Sequence, residues 1–338
     1  MINVAINGFG RIGRRVFRLL QNHKNIQVVA INDLADAKTL SHLLKYDSVH
    51  GIFNGEISHS ENEIITNKRS IPLLNEKHLK DINWKPFNVD FVIESTGKFK
   101  LSSELQHHIN NGAKQVILSV PALEDNIKTI VLGVNENSID GTETIISNAS
   151  CTTNNAAPMI NIINKLCGIN QAYITTVHSY TTDQSLHDQP HRDLRRSRAA
   201  SQSIVPTTTG AAKALTKIFP ELSDVIGGCG IRVPVINGSL TDITLNVKKT
   251  VSIEDINNAF KEASRSNYKG ILEYTEDPIV SIDIVGNPHS CIFDSQMTSV
   301  IGNMVKIIGW YDNETGYSQR IIDLLCYLSE KKCLLSIK

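Results

Sequence analysis

One cysteine and one histidine in this chain are placed where a nucleophile and its base are needed. Cys151 lies in the run IISNASCTTNN, residues 145–155, where a short apolar stretch gives way to helical spacing. A cysteine at a helix start meets unpaired backbone N–H groups and the positive end of the helix dipole, and both favour thiolate over thiol. Ser150, Thr152 and Thr153 add hydroxyls that can hydrogen-bond an anion there. His178 follows the apolar run Tyr173–Val177, at the end of a second strand. If the two runs share one sheet, both side chains emerge at the same edge, and a Cys–His ion pair is expected to activate the sulfur. The other cysteines (Cys167, Cys229, Cys291, Cys326 and Cys333) lack that flank and read as structural. None forms a CxxC pair, so neither a metal site nor a disulfide framework is expected.

A second constellation opens the chain. Gly8, Gly10 and Gly13 have the spacing GxGxxG after the strand-like NVAIN and before the helical RRVFRLLQ. Gly8 permits a tight turn, Gly10 lets the backbone approach a pyrophosphate, and Gly13 lets helix and strand pack closely. The pyrophosphate then rests on the N–H groups of a helix N-terminus. Asp33 closes the next apolar run, where a carboxylate can accept from both ribose hydroxyls. A 2′-phosphate would meet that charge unfavourably, so NAD is expected over NADP.

These groups need a scaffold that brings strand ends together. Apolar runs at 3–7, 26–31, 89–94, 115–118, 129–132 and 144–147 alternate with helical patterns such as 103–111. That alternation predicts an open, Rossmann-type parallel sheet over residues 1–150. The rest reads differently. Helical patterns at 152–166, 210–219, 254–265 and 317–329 separate alternating strands at 173–177, 231–234, 239–247, 279–284 and 304–311. Few of those strands have a crossover helix between them, so an α+β catalytic domain with a mainly antiparallel sheet is expected over 151–315. The helix 316–330 is expected to pack back on the first domain, and the tail after Lys331 to be loosely held. Residues 179–207 form a long, Arg-rich connection of the kind that carries function.

Bulk composition narrows the partners. Lys+Arg and Asp+Glu both total 34, so no basic stripe points to nucleic acid or a membrane surface. No stretch approaches the ~18 apolar residues that span a bilayer. The first residues run straight into a strand, so no signal peptide is expected. A cytoplasmic protein is expected.

The chain resembles the glyceraldehyde-3-phosphate dehydrogenase family. The likeness runs from AINGFGRIGR, residues 5–14, through HLLKYD at 42–47, STG at 95–97 and GVN at 133–135. It continues through SNASCTTN at 147–154, PTTTGAAK at 206–213, RVP at 232–234 and WYDNE at 310–314. The resemblance implies a two-step oxidation. Cys151 adds to an aldehyde, His178 accepts the proton of the thiohemiacetal as hydride leaves, and inorganic phosphate attacks the thioester to give an acyl phosphate. It further implies that Thr181 and Arg232 hold the substrate phosphate, with Asp183 orienting Arg232. Ser150, Thr152, Arg196, Thr209 and Gly210 would hold the attacking phosphate. Hydroxyls, helix-start N–H groups and guanidinium forks suit that work. On the cofactor it adds Arg11, Ile12, Ser95, Thr96, Ser119 and Asn313, and it implies a homotetramer with the 179–207 loop packed between subunits. Leu34 and Pro190 resemble the NAD-preferring branch.

There are departures. The second cysteine common in the family is Asn155 here, a change expected to spare catalysis. Lys77 stands where an Arg is common, and Thr182 where an Asn is. Two rival readings follow from the same residues. Erythrose-4-phosphate dehydrogenase shares the thiol, and LADA at 34–37 is somewhat like it, whereas residues 207–213 keep the glyceraldehyde pattern. A Cys–His hydrolase or acyltransferase would explain the thiol but leave the glycine fingerprint unused.

Overall fold

The computed structural model describes residues 1–21, 23–67 and 69–335, with side chains as far as Lys331. Two compact units emerge. The first comprises Met1–Ile130, Asn137–Ala149 and the chain from Ser318; the second comprises Val131–Glu136 and Ser150–Tyr317.

The first unit begins with β1 (Ile2–Asn7), α1 (Arg11–Leu20) and β2 (Ile26–Asn32). Val4, Ala5 and Ile6 in β1 are wholly buried, as a parallel strand covered on both faces requires. Next come α2 (Ala37–Lys45), the small β3–β4 pair (Tyr46–Asp47, Gly51–Ile52), β5 (Ile57–His59), β6 (Glu63–Thr66) and β7 (Arg69–Leu74). The unit continues with β8 (Phe91–Glu94), α3 (Ser102–Asn110), β9 (Gln115–Leu118), β10 (Lys128–Thr129) and β11 (Ile145–Ser147). The main sheet has the order β10-β11-β9-β8-β1-β2-β7-β6-β5. It is parallel from β10 to β7, and β7, β6 and β5 add an antiparallel edge. Strand order reverses at β1, flanked by β2 and β8. Such a switch point leaves a crevice outside the carboxyl ends of these strands, and dinucleotides bind there. Of the expected strand 129–132, only Thr129 pairs.

The second unit holds α4 (Cys151–Cys167), β12 (Ile169–Ser179), β13 (Val205–Thr207), α5 (Ala211–Ile218), β14 (Ile226–Val233) and β15 (Ser239–Val247). It goes on with α6 (Ile253–Arg265), β16 (Leu272–Thr275), β17 (Cys291–Asp294), β18 (Ser299–Ile301) and β19 (Met304–Tyr311). The sheet runs β13-β14-β12-β15-β19-β17-β16, with β18 also on β19. It is antiparallel except at β12/β14 and β16/β17. The expected strand at 279–284 is instead a run of turns. Val280 and Ile282 are exposed, and the Asp283 carboxylate accepts the Val280 N–H at 2.8 Å, which closes the turn.

The last helix, α7, spans Thr315–Leu335 and outruns the expected end at 330. Asp312 caps its start by accepting the N–H groups of Glu314 and Thr315, both at 2.8 Å. Ile321, Ile322, Leu324, Leu325 and Leu328 are buried along it, and Lys331 bonds the carbonyl of Ile139. The tail expected to be loose after Lys331 is therefore helical to Leu335; residues 336–338 and the side chain of Cys333 lie outside the described residues.

Candidate active site

In the first unit the glycines act through their missing side chains. Gly8 has φ +91°, and a β-carbon there would lie 2.6 Å from the Thr96 nitrogen. A β-carbon on Gly13 would collide with the Gly8 carbonyl oxygen, whereas none near Gly10 meets any atom within 4 Å. Gly10 is the N-cap of α1 and opens onto solvent, so the turn forms a cradle over a helix start. This geometry fits a pyrophosphate. Asp33 follows β2, with its carboxylate accepting the N–H groups of Phe9 at 2.7 Å and Ala35 at 3.0 Å. Arg11 and Ile12 form the first turn of α1, and Arg11 reaches Asp47 at 2.7 Å. Burial opposes the Asp47 charge, but the N–H groups of His50 and Val49 and the Arg11 guanidinium hold its pKa at about 2. Ser95 and Thr96 follow β8, and buried Ser119 follows β9.

In the second unit Cys151 is the first residue of α4, and Ser150 is its N-cap, accepting the Thr153 N–H at 3.1 Å. Just before them, Ala149 sits at φ +55°, a left-handed conformation that costs a non-glycine residue ~1–2 kcal/mol. Cys151 Sγ lies 3.5 Å from His178 Nε2. Two shifts bear on the ion pair expected between them. Burial, and then the Arg232 cation, push the His178 pKa down to about 3. Burial likewise pushes the Cys151 thiol up, against the pull of Arg232 and Thr152. Both shifts favour the uncharged pair, a thiol facing a neutral imidazole. Such an imidazole is free to take a proton.

Arg232 is brought to His178 by the parallel register of β12 and β14, which sets the two residues opposite each other. Its Nη1 lies 2.8 Å from His178 Nδ1, 2.9 Å from the Ser179 carbonyl and 3.4 Å from Thr181 Oγ1. Arg196 spends its nitrogens on Thr207 Oγ1 (3.0 Å), the Thr208 carbonyl (3.1 Å) and Asp183. Its charge still lowers the pKa of both Arg232 and His178. Thr209 Oγ1 accepts the Ala211 N–H at 3.2 Å, and Gly210 is the N-cap of α5. The structure thus joins Cys151, His178, Arg232 and Thr181 through direct contacts. Thr152 belongs to a different set: its hydroxyl and that of Thr176 each lie 2.9 Å from the buried Tyr311 hydroxyl, and the Tyr311 ring meets His178 edge-on.

Sequence reasoning missed Tyr311, which lies within the matched WYDNE run without any sign of which face it takes. It also missed what holds Asn313. Ser179 and Ser239 donate to Asn313 Oδ1 at 2.9 and 3.0 Å, which turns the amide nitrogen away from them.

Residues 2–102 match the family model for the glyceraldehyde 3-phosphate dehydrogenase NAD binding domain, and residues 150–313 match that for its C-terminal domain. The chain belongs to the glyceraldehyde 3-phosphate dehydrogenase family. It is 48% identical to glyceraldehyde-3-phosphate dehydrogenase 1 of Bacillus cereus, covering 98% of this chain and 99% of the relative. It is 50% identical to glyceraldehyde-3-phosphate dehydrogenase 2 of Streptomyces avermitilis and 48% to the Geobacillus stearothermophilus protein, with the same coverage. As a glyceraldehyde 3-phosphate dehydrogenase family member it is an NAD-dependent oxidoreductase acting on an aldehyde.

Asp183 does not orient Arg232 by contact; its carboxylate pairs with Arg196, while Ser179, His178 and Thr181 hold Arg232. Exposed Asp183 sits on the loop that also carries Arg196, and its charge acts on Arg232 as well. Asn155, in place of the family's second cysteine, is wholly buried, and its Nδ2 bonds the carbonyls of Ser290 and Trp310, both at 3.2 Å.

Proposed function

We propose that this chain oxidises D-glyceraldehyde 3-phosphate with NAD and inorganic phosphate to 1,3-bisphosphoglycerate. The observation that carries the reading is the 3.5 Å approach of Cys151 Sγ to a neutral His178 Nε2 beside Arg232, in a chain of this family. Cys151 sulfur attacks the aldehyde carbon as His178 takes the thiol proton and passes it to the carbonyl oxygen, giving a thiohemiacetal, and the helix start of α4 stabilises the developing negative charge. NAD, when bound, supplies the acceptor for the hydrogen lost from the aldehyde carbon. His178 removes the hydroxyl proton in that step, and a thioester on Cys151 remains. A phosphate oxygen then bonds to the acyl carbon, the acyl carbon–sulfur bond breaks, and the Cys151 thiolate that leaves takes back a proton from His178.

In this reading Arg232 and Thr181 bind the substrate phosphate. Arg196, Thr209, Gly210, Ser150 and Thr152 bind the attacking phosphate. Residues Gly8, Gly10, Arg11, Ile12, Gly13, Asp33, Ser95, Thr96 and Ser119 hold NAD, and Asn313 offers its amide N–H to the nicotinamide carboxamide. Residues 1–150 with the helix 316–330 form the NAD domain, and 151–315 the catalytic domain. We further assign a cytoplasmic homotetramer. Exposed Leu186, Leu194 and Ile204 on the 180–204 loop support the assembly, which sedimentation tests.

The deciding experiment follows NADH formation from glyceraldehyde 3-phosphate with and without phosphate, beside erythrose 4-phosphate and a Cys151→Ser variant. Phosphate-dependent turnover of the triose, abolished in the variant, is expected. Turnover retained by Cys151→Ser would sink the covalent route.

A further inference from the structure

Beneath the turn that follows β8 lies a carboxylate that no solvent reaches. Glu94 is the last residue of β8 and is wholly buried. Four donors converge on it. Its Oε1 accepts the Thr96 backbone N–H at 2.9 Å and the Thr96 hydroxyl at 2.5 Å. Its Oε2 lies 2.5 Å from Asn7 Nδ2 and 3.2 Å from His108 Nε2.

The direction of these bonds is set from outside by groups that cannot reverse. An indole N–H only donates, and Trp84 Nε1 points at His108 Nδ1 from 3.0 Å. The ring's own proton must then sit on Nε2, facing Glu94. On the opposite side, Asn32 reads the backbone of Glu76, accepting its N–H at 2.8 Å and donating to its carbonyl at 3.0 Å. The remaining Asn32 amide hydrogen goes to Asn7 Oδ1 at 2.7 Å, which turns Asn7 Nδ2 towards Glu94. The Thr96 N–H is a third fixed donor. Position 94 must therefore accept on both oxygens. An amide there would set a buried donor against a donor.

What this hub holds together is the frame of the dinucleotide turn. Asn7 ends β1, Asn32 ends β2 and Glu94 ends β8. The Thr96 backbone packs on Gly8 too closely for a β-carbon, and Ser95 Oγ donates to the Gly8 carbonyl at 2.7 Å. Burying a charge is costly unless it is fully bonded, and such a network gains its worth from fixing one geometry. We propose that Glu94 is a positioning residue for NAD, acting through the 95–97 turn and Asn7, with Trp84 and His108 setting the polarity of the network.

The test is Glu94→Gln, read by NAD titration calorimetry and by steady-state kinetics. NAD binding weakens by about tenfold or more, and the NAD KM rises by more than kcat falls. Adding Trp84→Phe removes the indole donor. His108 can then carry its proton on Nδ1 and accept from the new amide, while Asn7 Nδ2 still opposes it, so the double variant regains part of the lost affinity. A merely structural role predicts the reverse, because Trp84→Phe opens space in a packed interior. Unchanged NAD affinity in Glu94→Gln, or a double variant weaker than the single, overturns the proposal. Should Glu94→Gln fail to fold, the 15N-histidine spectrum of the unaltered enzyme decides: a His108 proton on Nε2 is expected, and one on Nδ1 overturns it.

Discussion

Arg232 Nη1 lies 2.8 Å from His178 Nδ1, and both groups converge on one acceptor, the Ser179 carbonyl, at 2.9 and 2.7 Å. If Nδ1 keeps its proton for that carbonyl, Nε2 presents a lone pair to Cys151. A second positive charge on the ring would then face the guanidinium directly. The two contacts at Nδ1 pull in opposite senses: the Ser179 carbonyl calls for a proton there and the Arg232 N–H for a lone pair, while the guanidinium charge disfavours a second cation on the ring.

Replacing Arg232 by Leu removes the cation that lowers the His178 pKa. The acid limb of kcat/KM is expected to move to higher pH, and the KM for glyceraldehyde 3-phosphate to rise by roughly tenfold or more through loss of charged hydrogen bonds. Lys at this position keeps the charge, so its acid limb should move less. Full pH–rate profiles check both; an unmoved limb in Arg232→Leu would show that the guanidinium does not tune the base.

Stability should carry the same signature. The His178 pKa falls from 6.5 in an unstructured chain to about 3 when folded, so between those values the unfolded chain binds more protons. Above pH 6.5 the group costs nothing. As pH falls towards 3 it favours unfolding, with a slope of up to ~1.4 kcal/mol per pH unit. Urea unfolding of the parent and of His178→Gln across this range should show a flatter acid dependence in the variant.

Gly8→Ala places a β-carbon 2.6 Å from the Thr96 nitrogen at a φ of +91°. Strain of ~1–3 kcal/mol is expected, together with loss of NAD affinity, because the turn can relax only by moving off the 95–96 backbone. Gly10→Ala has no atom within 4 Å to meet, so its loss of NAD binding should come with little loss of stability. Thermal melts with and without NAD separate the two.

Tyr311→Phe leaves the Thr152 and Thr176 hydroxyls without the partner that each holds at 2.9 Å. A stability loss of ~1–3 kcal/mol is expected. The His178 ring also rests edge-on against Tyr311, and the phenyl ring preserves that contact, so kcat should fall less than in His178→Asn, where loss of the base costs roughly 10²–10⁴-fold. Denaturant titration and single-turnover rates on the two variants provide the check.

Much of this site was legible in the amino-acid order because its signals are local. The spacing of Gly8, Gly10 and Gly13 before a helix, with Asp33 after the next strand, encodes a βαβ unit within one short stretch. Cys151 at a helix start depends only on the residues around it. The apolar run 279–284 misled for the same reason: alternation mimics a strand, and only the Asp283 turn bond and the absence of a pairing partner reveal otherwise.

The sequence by itself determined the turn, the helix start that carries Cys151, the strand that ends beside His178, and so the residue types available for the chemistry. Tertiary structure alone decided their company. The parallel pairing of β12 with β14 sets Arg232 against His178 across 54 residues, and Asp183 goes to Arg196. Register depends on burial summed over a whole sheet, and protonation depends on water excluded by every element around a group. Neither quantity belongs to any local stretch of chain, and together they bias His178 towards its neutral form.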